Sequence, residues 1–205
     1  MKIDPDNITN FNLTKHQLEK TLLFWICAAA QNGHTASNSL EMMFAKIRKF
    51  LKFAGHKPKR SPFAALRQKD SLHRGRPGAK GKWLEALMRI CGVRFYKYKS
   101  KAAINLAYSD LNLRTCTVDD LEEINGIGPK TARCFLIHSR PDQQFAGLDT
   151  HILKHLRAEG IEAPLSTPSG RRYQELEQEF LQLAEAAGMS PADYDLMIWK
   201  KYRIK

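Results

Sequence analysis

Long apolar runs are missing from this chain of 205 residues: the longest, residues 22–30, is about half of the roughly 18 uncharged apolar residues that a membrane span needs. No membrane partner is therefore expected. The opening Met1-Lys2-Ile3-Asp4-Pro5 has no hydrophobic signal segment either, so the chain reads as soluble and cytoplasmic, nucleoid-associated if its source is prokaryotic. Cysteine is scarce and scattered. Cys27, Cys91, Cys116 and Cys134 form no C-x-x-C or C-x-x-H spacing, so no metal site and no cofactor is expected, and Cys27 and Cys134 read as small core residues. Strand-rich sections and internal repeats are absent too, which excludes sandwiches, propellers and solenoids. Acidic residues are nearly missing from just over a quarter of the chain. Residues 46–101 hold 18 Lys and Arg against only Asp70 and Glu85, a local balance of +16 within a net charge of +12. The rest of the chain is slightly acidic, an asymmetry that suits a lobe following a phosphate backbone, although a solvated basic surface would show the same charge.

What is present is helical periodicity. Thr14-x-x-Gln17 is a capping box ahead of Leu18, Leu22, Leu23, Ile26 and Cys27 on one face. A second helix is expected from about residue 35 to 53, with Leu40, Met43, Phe44 and Ile47 at helical spacing. Periodicity then lapses over 55–81, which predicts a loop or a pair of short elements lying in solvent or against phosphates. Trp83, Leu84, Leu87, Met88 and Ile90 mark another helix closed by Gly92, and 93–101 alternates basic with aromatic or small residues before a helix through Leu106.

The densest helix punctuation follows. Thr117-x-x-Asp120 starts a short helix, Asn125-Gly126-Ile127-Gly128 breaks it, and Pro129 opens the next, which runs through Ala132, Phe135, Leu136 and Ile137. Two short helices joined by Gly-Ile-Gly make a helix-hairpin-helix. Glycines let the backbone approach another backbone, and the N–H groups of the turn and helix start can face a phosphate, so Gly126, Ile127, Gly128 and Thr131 are candidate DNA contacts. On the hairpin alone, Lys130 is as good a phosphate contact as a nucleophile. Nineteen residues further on, Gly147-Leu148-Asp149-Thr150-His151-Ile152-Leu153 puts a carboxylate at a helix start, where capping is its ordinary role.

Taken together, Gly-Ile-Gly-Pro-Lys-Thr-Ala and Leu-Asp-Thr-His-Ile resemble the helix-hairpin-helix superfamily of base-excision DNA glycosylases, whose members with a lysine at this position are glycosylase/lyases. The resemblance implies an all-α fold of two helical lobes with a central cleft, and catalysis by Lys130 and Asp149. Lys130 would attack the sugar C1′, Asp149 would stabilise the cationic charge that builds there, and a Schiff base would lead to β-elimination. A neutral amine is required, so a lowered Lys130 pKa is expected. The target base must leave the stack, and Gln31, then Asn32, is the candidate to fill the hole. The four-cysteine cluster of some relatives that carry an iron–sulfur centre is missing.

The stretch Gly92-Val93-Arg94-Phe95-Tyr96-Lys97 and the end of the chain, from Ser190-Pro191-Ala192-Asp193 through Asp195-Leu196-Met197-Ile198-Trp199 to Lys205, resemble the small archaeal-type 8-oxoguanine DNA glycosylases. That resemblance implies Arg94 and Lys97 as further DNA contacts and Lys205 as a contact to the oxidised base. It covers about residues 15–53 and 82–205, is strongest over 121–155, and is poor over 55–81. The partner implied is double-stranded DNA carrying a damaged base, met by a monomer. The single domain is expected to divide into a helical lobe of roughly 30–115 and a hairpin-containing lobe of 1–29 plus 116–205. Leu-Asp-Thr-His-Ile is also phrased as in endonuclease III, so the same chemistry on an oxidised pyrimidine or another modified base is one alternative. A DNA-binding module without chemistry is the other. His151 is expected to be structural, and Trp25 and Trp199 to be core or pocket wall.

Overall fold

A computed structural model of the chain describes residues 2–72 and 81–203. Ten α-helices and one short 3-10 turn, Pro5–Asn7, make up its regular structure, and no strand occurs among the described residues. The chain divides into two compact units, residues 1–5 with 13–127 and residues 6–12 with 128–205.

The first unit holds α1 (Lys15–Ala28), α2 (Gly33–Phe53), α3 (Pro62–Ser71), α4 (Lys82–Ile90), α5 (Tyr96–Tyr108) and α6 (Val118–Glu122). Thr14 caps α1 through the expected box, its hydroxyl and backbone paired with Gln17. Every residue from Leu22 to Ala28 is then buried, because α2, α3 and α5 all pack against α1. A helix apolar on all sides is a central helix, and that places α1 in this unit rather than with the hairpin lobe, where the sequence division put it. The Lys99 ammonium enters the same core and donates to the carbonyls of Cys27 at 2.8 Å and Ala29 at 2.7 Å, closing the C-terminus of α1 with a cation.

Part of the aperiodic stretch 55–81 is the ten-residue helix α3. Its start is built by Ser61 as N-cap and Pro62 in the first turn, and the buried Glu19 of α1 receives the Ser61 hydroxyl at 2.5 Å and the Phe63 N–H at 3.1 Å. Asp70, buried at the far end of α3, accepts from the N–H of Gly81, from Trp83 Nε1 and from the Tyr108 hydroxyl.

The second unit holds α7 (Pro129–Ser139), α8 (Thr150–Ala158), α9 (Gly170–Ala186) and α10 (Pro191–Tyr202). Leu148, Ile152, Leu153, Leu156, Leu176, Phe180 and Ile198 form its core, with Tyr173 and Tyr194 filling the corners. All four cysteines are free, buried thiols. No described helix is long and apolar enough to cross a membrane.

Candidate catalytic and DNA-binding residues

The hairpin runs from α6, whose Thr117–Asp120 capping box forms as expected, through 123–128 into α7. Gly126 has φ +99°, and a Cβ there would come within 2.8 Å of the Ala102 Cβ on α5, so both backbone conformation and close approach require glycine. Gly128 differs. Its backbone is extended, and a Cβ would meet nothing within 4 Å, so no neighbour within the chain demands a glycine there. It is the N-cap of α7 and offers no side chain to cap it, so no side chain of the cap occupies the first N–H groups of that helix. Ile127 and Thr131 are buried, so their side chains face inward and only their backbone can meet a phosphate.

Lys130 is the second residue of α7 and half-buried. A cation there opposes the positive end of the helix dipole, a placement that needs nearby negative charge. The segment before α8 supplies it. Ala146 donates its N–H to Glu177 Oε1 at 2.8 Å, the Tyr173 hydroxyl donates to the Ala146 carbonyl at 2.6 Å and accepts from the Leu148 N–H at 3.2 Å, and Thr167 donates to the Leu148 carbonyl. Gly147, between them, lies so close to α7 that a Cβ would fall 2.2 Å from Cys134 Sγ. This segment delivers Asp149 to the head of α8, where one carboxylate oxygen, Oδ1, accepts from the N–H groups of His151 at 2.8 Å and Ile152 at 3.0 Å. Asp149 is thus a helix cap and a charge on Lys130 at once.

Burial drives the Lys130 ammonium towards neutrality, but the charges of Cys134, Asp149 and Asp195 outweigh it and hold the pKa above the ordinary lysine value of 10.5. This corrects the expectation of a lowered pKa: negative groups beside Lys130 outweigh the effect of its burial. Burial pushes the Cys134 thiol far up, so it is uncharged at neutral pH, and Asp149 and Asp195 are the remaining negative groups that favour the ammonium. Asp195, buried on α10, is a further carboxylate acting on Lys130 that sequence reasoning did not single out as a site residue.

Gln31 and Asn32 are both engaged. Gln31 donates to the Gly92 carbonyl at 3.2 Å and accepts from the Arg94 N–H at 2.8 Å, while Asn32 caps α2 by accepting from the N–H groups of His34 and Thr35. Either must break these bonds to fill a duplex. Beside Gln31, Phe95 stands 56% exposed with φ +54°, its ring 5.7 Å from the Arg94 guanidinium, and Tyr98 is 71% exposed. Neither aromatic side chain is an expected contact, since nothing in the sequence marks a phenylalanine or tyrosine as exposed. Arg94 and Lys97 are exposed. Trp25 is core, edge-on to Phe24, whereas Trp199 is half-buried under the Arg203 guanidinium. His151 joins the site through its backbone N–H. Lys205 lies outside the described residues. Among the described residues no three His, Cys, Asp or Glu side chains gather as a metal's donor set.

Comparison with known proteins gives a consistent picture. The family model described as 8-oxoguanine DNA glycosylase matches residues 78–189. A curated protein of Picrophilus torridus, an 8-oxoguanine DNA glycosylase/AP lyase, is 38% identical over 79 residues, which is 38% of this chain and 37% of that protein; the match thus spans little more than a third of the relative's length. Among solved structures, the Methanocaldococcus jannaschii 8-oxoguanine glycosylase/lyase in complex with a 15mer DNA containing 8-oxoguanine has a TM-score of 0.62 at 21% identity, covering 93% of this chain and 83% of that one. The 8-oxoguanine DNA glycosylase of Thermotoga maritima has the same TM-score and identity over 98% of this chain and 87% of its own.

Proposed function

The chain belongs to the 8-oxoguanine DNA glycosylase family, and on that premise we propose that it is a bifunctional DNA glycosylase/AP lyase that removes 8-oxoguanine from duplex DNA and then cuts the strand. The observation that carries this reading is the pairing of Lys130 with Asp149: a lysine at the wrong end of a helix dipole, beside a carboxylate delivered by a segment threaded against the same helix.

Lys130, once neutral, attacks C1′ of the extruded nucleotide as the glycosidic bond breaks. The Asp149 carboxylate faces the cationic charge that develops on the sugar. The resulting Schiff base acidifies the neighbouring sugar carbon, and β-elimination severs the 3′ phosphate. In the free protein the ammonium form dominates, so DNA binding and base departure must accompany the loss of its proton. The uncapped start of α7 and the exposed Gly128 offer N–H groups to a phosphate, and Arg94 and Lys97 add cations on the other unit. Lys205 is the proposed contact to the oxidised base. A DNA substrate and four cysteines without a disulfide suit an intracellular protein; a monomer is the proposed acting form.

The test is base release from duplexes carrying 8-oxoguanine, an oxidised pyrimidine or no lesion. Wild type is expected to release 8-oxoguanine, and Lys205→Ala to lose most of its preference for that lesion. Asp149→Asn is the informative variant, because asparagine caps helices as well as aspartate does. It should keep the melting temperature and lose activity by on the order of 10²–10⁴-fold. Release of the pyrimidine alone would overturn the substrate, and full activity in Asp149→Asn would overturn its role.

A further inference from the structure

A buried polar chain runs from Thr9 through His138 to Asp195, and the proposed chemistry makes no use of it. Asp195 Oδ2 lies 3.1 Å from Nε2 of His138, a fully buried residue of α7 two turns beyond Lys130. The other ring nitrogen, Nδ1, lies 2.8 Å from Thr9 Oγ1, and the Asn10 N–H donates to the His138 carbonyl at 2.9 Å. The chain is satisfied when the Thr9 hydroxyl donates to Nδ1 and the Nε2–H donates to the carboxylate. The second oxygen, Oδ1, is turned elsewhere. It lies 3.7 Å from the point a Cβ on Gly147 would occupy, the same point that is 2.2 Å from Cys134 Sγ. Cys134 follows Lys130 by one helical turn, and Gly147 precedes Asp149 by two residues. Oδ1 is therefore directed towards the contact between Gly147 and Cys134, one turn of α7 from Lys130 and two residues from Asp149.

We propose that Asp195, oriented by His138 and Thr9, is a positioning residue for the nucleophile: a second carboxylate that, with Asp149, holds the Lys130 ammonium in place. The proposal rests on the reading of Lys130 as nucleophile and adds the group that governs its readiness. Asp149 alone is a weak counter-ion, since its Oδ1 is committed to two N–H groups at the head of α8. Lys130 meanwhile faces both desolvation and the dipole of α7, and each of them favours the neutral amine. The other charged group nearby on α7, Arg133, is turned to Glu177 at 2.9 Å and lies over the Tyr173 ring, so that pair leaves little net field. Cys134 is an uncharged thiol at neutral pH. Asp149 and Asp195 are the anions left to hold the ammonium. Removing Asp195 frees the amine at lower pH and lets it wander.

The test titrates Lys130 in the free protein, with lysines labelled at the ε-carbon, the signal assigned through Lys130→Gln and NMR spectra recorded from about pH 8 to pH 11.5. Wild-type Lys130 is expected to titrate above the ordinary lysine value, and Asp195→Asn to lower it by about one unit or more. On a duplex with an abasic site, the acid limb of the pH profile for borohydride-trapped adduct should move down by the same amount. Thr9→Val, a milder change that loosens the His138 ring without touching a charge, should move both in the same direction by less, and it serves where Asp195→Asn fails to fold. A wild-type Lys130 that titrates at or below the ordinary value, or one unmoved in folded Asp195→Asn, overturns the proposal. Absence of any adduct with wild type strikes instead at the nucleophile itself, so the two failures are distinguishable.

Discussion

At the scale of single residues, side chains that look alike in the sequence divide into those that hold the structure and those that face outward. Lys97 and Lys99 stand two apart in one basic run, yet Lys97 is exposed and Lys99 is buried on the carbonyls that end α1. Gly126, Gly128 and Gly147 divide in the same way: Gly126 and Gly147 are required by neighbours, and Gly128 is not. Gly147→Ala should therefore cost about 1–3 kcal/mol, because its methyl collides with Cys134 in a packed core. Gly128→Ala should be close to neutral in stability. Thermal melts of the two proteins check this, and equal melting temperatures would contradict the geometry.

His155 makes a second prediction at this scale. It is buried on α8 between the Tyr194 hydroxyl, 2.9 Å from Nε2, and the Tyr202 hydroxyl, 3.4 Å from Nδ1. Burial, aided by Lys201 and opposed by Glu159, pushes its pKa below the ordinary 6.5. The unfolded chain then takes up the proton more readily than the folded one. The stability from this residue is present above pH 6.5 and is lost as pH falls from there through the folded pKa. His155→Gln should flatten that acid limb of a stability–pH curve, and an unchanged limb would show that the proton binds elsewhere.

At the scale of elements, the capping signals were legible because capping is local chemistry. Thr14, Thr117, Asp149 and Ser190 each begin a helix where residue type and spacing place one. The helix expected from about residue 35 starts at Gly33, because Asn32 caps it. What local patterns could not reveal is how many faces of a helix are covered. The run 22–28 looks like one apolar face plus surplus, and only packing by three neighbours explains the surplus. Likewise α3 was hidden in a polar, proline-bearing stretch, since its stability comes from Glu19 and Asp70, far along the chain or across the segment.

The loop before α3 keeps its cations outward. Gln68 accepts from the Lys59 N–H at 3.2 Å and donates to the Lys57 carbonyl at 3.1 Å, which fixes the strip that displays Lys57, Lys59 and Arg60. If each meets one phosphate, replacing all three by alanine should flatten the plot of log affinity against log salt by about 2–3, at roughly 0.9 per phosphate contact. Binding to undamaged duplex at several salt concentrations measures this. An unaltered slope would make the strip a solvated surface.

At the scale of the whole molecule, the all-helical class and the hairpin were readable, and the division of the chain was not. The boundary passes between Ile127 and Gly128, inside the hairpin itself. Lys130, Asp149 and Asp195 all lie in the unit of residues 128–205, whereas Gln31, Arg94 and Lys97 belong to the other. Sequence spacing suggested Lys130 and Asp149 through resemblance, but Asp195 lies a further 46 residues along and its part depends on α10 packing on α7. The proposed chemistry turns on Lys130 as the nucleophile of a glycosylase/lyase. Borohydride reduction during reaction with a duplex containing one 8-oxoguanine tests it most directly, with the adduct digested and the modified residue located by mass spectrometry. A covalent adduct that maps to Lys130 and disappears in Lys130→Gln is expected. An adduct on another lysine, or none with either the lesion or an abasic duplex, would contradict it.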